Sequence, residues 1–187
     1  MSFQDQGSKS LAPVARSPEV QANKQAELFV DVYYSTYDSA SRPKKLPELY
    51  RFDARIVWNG NAISGPASLR EALLTTMSYT KHEILSFNAH VIPGSTLQPL
   101  VLPTISITVS GQLMTSSTRF PSNFRMPDQK DIPSNLIQAN SQEDLNRLPR
   151  VFSQNFILAP SPQATEPNPS PSISNYLIIA DCFRFVG

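Results

Sequence analysis

Beyond about residue 80 the chain places apolar residues at alternate positions, and no helical spacing separates the segments that do so. Leu85, Phe87, Ala89 and Val91 alternate within Glu83–Val91, and Ile105, Ile107 and Val109 repeat the pattern further on. A period of two turns every other side chain to one face, so each segment reads as a strand with one side on a core. Arg150–Leu158 and Tyr176–Phe185 complete the set. Long alternating strands unlinked by helices imply an antiparallel sheet.

The helical signal lies before the strands. Ala26, Phe29, Val32, Tyr33 and Tyr37 recur at spacings of three and four, one apolar stripe over roughly five turns. Ser17 and Pro18 suit a cap and a first-turn proline. Pro43 and Pro47 enclose a short helical segment ending at Leu49-Tyr50. Arg55–Trp58 reads as a strand, Asn59-Gly60 as a hairpin turn, and Asn61–Ser64 as the return strand. Gly65-Pro66 then opens a third helix with Leu69, Leu73 and Met77 on one face. Three early helices and one strongly curved sheet make an α+β fold.

A length of 187 residues suits one domain. Residues 1–18 are polar with scattered prolines and read as a flexible tail, leaving residues 19–187 as the domain. Two insertions interrupt it, at about 120–149 and 159–174. Their prolines cannot donate to a sheet ladder, so both read as long loops, the first with a helical turn near Ser141–Leu148.

Composition removes several function classes. The formal net charge of +1 is too small for a chain that grips phosphates unaided, so any RNA contact would draw its charge from a partner. Cys182 is the only cysteine, which excludes an internal disulfide and a multi-cysteine zinc site. Met1–Ser17 holds no apolar stretch suited to a secretion signal, and no run approaches the ~20 apolar residues of a membrane span. The expectation is a soluble intracellular protein without metal, cofactor or small-molecule substrate. His82 and His90, placed on one strand face about 26 Å apart, could not share an ion. The glycines at 60, 65, 94 and 111 read as scattered turn residues, not a phosphate loop.

Four segments carry more than periodicity: AELFVDVYYSTYD (Ala26–Asp38), ARIVWNGNAISG (Ala54–Gly65), FSQNFIL (Phe152–Leu158) and ADCFRF (Ala180–Phe185). In this order they closely resemble the small subunit of the heterodimeric general mRNA export receptor, the partner of a TAP-type large subunit. The resemblance spans about Gln21–Gly187 outside the two loops. Its insertion at 120–149 is closer to the long fungal forms than to the short animal ones. It implies a nuclear-transport-factor-2-like cone, a curved antiparallel sheet wrapping about three N-terminal helices. It also implies a non-catalytic subunit that binds and stabilises the large subunit for passage of messenger ribonucleoprotein through nuclear pores. Nucleoporin FG repeats and RNA would be reached mainly through the partner, and the protein would shuttle between nucleus and cytoplasm.

The last strand supplies the candidate site. Alternation puts Asp181, Phe183 and Phe185 on one face and Ala180, Cys182 and Arg184 on the other. Arg184 reads either as an ordinary exposed arginine or, given the resemblance, as an interface residue paired with a partner carboxylate. The same resemblance puts Cys182 and Ala180 beside it in the dimer contact, sustained by an apolar outer face. Trp58 is open between an interface anchor and a core residue. Arg42, Lys44 and Lys45 read as a solvated cluster. Two alternatives use the same cone: an isomerase-like enzyme with Asp53 or Asp181 as general base and Tyr33, Tyr34 or Tyr37 as donors, and a homodimeric Ran carrier. No acid–base pair sits in a recognisable motif, so no catalytic residue is assigned.

Overall fold

In the computed structural model, residues 17–75, 78–92, 102–128, 130, 132, 148–164 and 170–186 are described. The tail 1–16, Met77 and Gly94, and the expected turn at 141–147, lie outside them. Helix α1 (Pro18–Tyr37) starts where the proline predicts, with the Ser17 hydroxyl accepting the Val20 amide at 3.4 Å. It buries Ala26, Phe29, Tyr33 and Tyr37, and also Ala22, Gln25, Val30 and Tyr34. The buried stripe is therefore wider than the apolar spacing suggests, because Gln25 and the tyrosines carry polar tips that find partners. The Gln25 amide bridges the Ser172 carbonyl at 3.0 Å and the Ser172 amide at 3.2 Å.

Helix α2 (Arg42–Lys45) runs into a 3₁₀ turn at Leu46–Leu49, and α3 spans Gly65–Thr75. The strands are β1 (Tyr50–Trp58), β2 (Asn61–Ser64), β3 (Tyr79–Val91), β4 (Ile105–Ser116), β5 (Arg150–Pro160) and β6 (Tyr176–Phe185). They form one sheet in the order β2-β1-β6-β5-β4-β3. Four pairings are antiparallel as expected, but β1 pairs with β6 in parallel. Parallel neighbours need a long crossover. Here everything from α3 to β5 supplies it, so the absence of a single crossover helix was no bar.

The concave face closes over α1 and α3. Ile105, Ile107, Val109, Phe152, Phe156, Leu158, Ile178 and Phe183 meet Phe29, Tyr33, Leu69 and Leu73 in one core. Phe156 packs edge-on against Phe29 and Tyr33, with ring centroids 5.0 and 4.7 Å apart.

A bulge in β3 corrects the histidine geometry. Ile84 pairs with Gly111 and Ser86 with Ser110, so Leu85 has no partner across the ladder. The alternation changes sides there. His82 is buried while His90 and Leu85 are exposed, so the histidines do not share a face. Gly111 is likewise no turn residue. It lies inside β4 opposite this bulge, where a Cβ would overlap the Glu83 carbonyl and approach the Phe152 ring to 2.9 Å. Gly60 and Gly65 do turn the chain, with φ of 86° and 71°.

Arg42 also departs from the solvated cluster. It is buried, donates to Thr80 Oγ1 at 3.1 Å and to the Ser78 carbonyl, and lies 5.6 Å from the Tyr37 ring centre. Lys44 and Lys45 remain exposed.

Candidate functional site

Strand β6 lies inside the sheet, between β1 and β5, and presents two chemically different faces. Outward, Cys182 and Arg184 are exposed and Ala180 is half-buried. Arg184 stands opposite Ser153, Cys182 opposite Asn155 and Ala180 opposite Ile157. No ion pair among the described residues involves Arg184. The neighbouring strand β1 adds Arg55, exposed and in register with Ala180, and half-buried Val57, in register with Cys182. Arg55 was missed at first, although Ala54-Arg55-Ile56-Val57-Trp58 shows the in-out alternation plainly.

The outer face is less apolar than expected, although exposed Val151 of β5 belongs to it. Ala180, Ile157 and Val57 form a small half-buried centre. Around it run Ser153 and Asn155 of β5, Ser106, Thr108 and Ser110 of β4, and Ser86 and Asn88 of β3. Small hydroxyl and amide side chains leave this face without bulky projections, so another sheet could approach it. The Thr108 hydroxyl already bridges to Asn155 Oδ1 at 2.8 Å. A compact apolar centre with a polar surround is the ordinary anatomy of a specific protein interface.

Inward, Asp181 is buried in a closed network. The Tyr50 hydroxyl donates to its Oδ2 at 2.6 Å, and the Tyr33 hydroxyl reaches the same oxygen at 3.3 Å. Gln154 Nε2 donates to Oδ1 at 2.8 Å, while its Oε1 accepts from Tyr34 at 2.8 Å. Burial pushes the Asp181 carboxyl up to about 6, against the opposing pull of hydrogen bonds from Tyr50, Gln154 and Tyr33. The same burial, reinforced by the Asp181 charge, raises the Tyr33 and Tyr50 phenols.

This arrangement has the residue types of a proton-transfer site but not its access, for Asp181 is only 2% exposed. A general base must come within hydrogen-bond reach of a substrate, and here both carboxylate oxygens are already taken by protein donors. Asp53 fails differently: it is exposed on the irregular stretch of β1, gripped by Arg51 at 2.5 and 3.0 Å, which lowers its pKa. The two carboxylates do not share a cavity.

Trp58 projects to the inner side. Its ring lies nearly parallel to Phe183 at 4.2 Å and to Tyr37 at 5.6 Å. It packs against the core at the open end of the cone, away from the outer row. Asn59 has φ 46° and Gly60 φ 86°, the paired positive angles of a type I′ hairpin turn.

Comparison with known proteins agrees with this geometry. A family model described as "Nuclear pore RNA shuttling protein Mtr2" matches residues 20–112. NTF2-related export protein 1 of Bos taurus is 32% identical over 168 residues, covering 88% of this chain and 89% of the relative. Human NTF2-related export protein 2 is 27% identical over 165 residues, with 88% and 87% covered. Among solved structures, the Chaetomium thermophilum Mex67 NTF2-like domain complexed with Mtr2 superposes with a TM-score of 0.61 at 18% identity. That match covers 89% of this chain and 99% of the other, and establishes the cone fold. The chain thus belongs to the family of the NTF2-related export proteins, transport factors and not enzymes.

Proposed function

We propose that this chain is the small subunit of a heterodimeric mRNA export receptor, and that its outer sheet face binds and stabilises a TAP-type large subunit. The observation that carries the reading is the outward-facing row on an inner strand of the sheet, half-buried Ala180 with exposed Cys182 and Arg184, beside Arg55 and Val57. Two exposed arginines, Arg55 and Arg184, flank a small apolar centre on this face. A standard interface buries ~1,600 Å² in total, about half of it on each partner. Arg184 supplies specificity through a carboxylate of the partner, because a guanidinium fork grips a carboxylate with two charge-assisted bonds.

The nearly neutral charge suits a subunit whose partner makes most RNA and FG-repeat contacts. Such a complex would work at the nuclear pore and shuttle between nucleus and cytoplasm. Support comes from the solved Mex67 domain complexed with Mtr2, a pairing of two cone domains. Co-expression with the large subunit's NTF2-like domain, followed by size-exclusion light scattering, tests the reading. A one-to-one complex is expected, and two separate species would contradict it.

A further inference from the structure

The open end of the cone holds a cavity of about 480 Å³ that partner binding on the outer face does not explain. Its walls are Trp58, Ile63, Leu69, Leu73, Leu113 and Phe185, from five different elements. Polar side chains share this lining, with Asn61, Ser78, Thr80 and Thr115 beside Tyr37 and Arg150. Tyr37 is 6% exposed, and its hydroxyl has no hydrogen-bond partner among the described residues, whereas the Tyr33, Tyr34 and Tyr50 hydroxyls all have one. Burial raises its pKa, so the phenol is neutral and keeps its proton to donate. Arg150 stands over the Phe185 ring, 3.4 Å from its centre, and no ion pair among the described residues involves it. The Tyr37 side chain lines the cavity, where its hydroxyl is free to meet a ligand.

We infer that this cavity is a small-molecule site for a compact, flat apolar anion, with its body against Trp58 and Phe185, a polar atom on the Tyr37 hydroxyl and its charge at Arg150. The volume falls within the range of ligand pockets, and an apolar lining with a few convergent polar groups is their usual construction. The charge sense follows from Arg150, the only charged side chain among the described residues of the lining. A cation would be repelled by it.

The test uses the full chain with 1-anilinonaphthalene-8-sulfonate, a planar aromatic anion, followed by fluorescence titration and amide chemical-shift mapping. Saturable one-to-one binding is expected, with shifts at Trp58, Leu73, Leu113 and Phe185. Tyr37→Phe removes one oxygen and leaves the ring packing, so folding is preserved while affinity falls at least ~5-fold, a loss typical of one unpaired hydrogen bond. Arg150→Gln should weaken the anion similarly and leave an uncharged analogue unaffected. The inference is overturned if both variants bind as tightly as the parent, or if the shifts lie on the outer face. Failure of the dye to bind while an aromatic peptide fills the cavity would overturn it equally, making this a protein-docking site.

Discussion

Asp181 and Arg184 lie three residues apart on one strand, yet one is sealed inside the cone and the other stands in solvent on its outer face. The network behind Asp181, through Tyr33, Tyr50 and Gln154, ties β6 to α1, β1 and β5. The outer row carrying Arg184 therefore rests on a strand anchored from within.

The Asp181 carboxyl has a consequence for stability against pH. Its pKa rises from 3.8 in the unfolded chain to about 6 in the folded one. Between those values the folded state holds a proton that the unfolded state has lost. The contribution of this carboxyl to stability is therefore greatest below about pH 4, falls as pH rises to 6, and levels off above that. The contribution is of order 3 kcal/mol, since one pKa unit is about 1.4 kcal/mol. Urea melts from pH 4 to 7 should show the fall, and Asp181→Asn should remove it. The same slope in the variant would assign it to another group.

Gly111→Ala should destabilise the fold although no turn is involved. The added methyl meets the Glu83 carbonyl and the Phe152 ring at the β3 bulge. Overpacking of this kind costs roughly 1–3 kcal/mol. A thermal melt lowered by several degrees is expected, and an unchanged melt would show that the bulge relaxes freely.

Arg42→Lys should cost about 1–3 kcal/mol by denaturant melting, because one ammonium cannot replace a buried fork that reaches both Thr80 and Ser78. The exposed neighbour Lys44, changed to Gln, should have no measurable effect. Equal effects at the two positions would mean that the buried contacts carry no weight.

How far these features could be read beforehand follows from their range along the chain. Helix α1 and the strand β6 were legible because their patterns are local: the Ser17-Pro18 start, and the alternation from Asp181 to Phe185. The face of Arg184 came directly from that alternation. The parallel β1–β6 pairing was not legible, as it joins segments more than a hundred residues apart. Leu85 misled because it continues an apolar alternation through the very residue that the bulge leaves unpaired. Arg42 misled because its burial depends on Thr80 and Ser78, which only the folded chain brings near. The Asp181 network was visible as residue types, but its closure by Gln154 was not.

The central claim is that the outer face around Arg184 binds the partner, and a charge reversal there tests it most directly. Arg184→Asp should leave the isolated domain's circular dichroism unchanged, since the side chain touches no core residue. In a partly dry interface, losing one member of a charge pair costs ~2–5 kcal/mol, and reversal adds repulsion. Calorimetric titration with the large subunit's NTF2-like domain should then show a dissociation constant at least ~30-fold weaker. A compensating acid-to-arginine change on that domain should restore binding. An unchanged dissociation constant for Arg184→Asp would contradict the account.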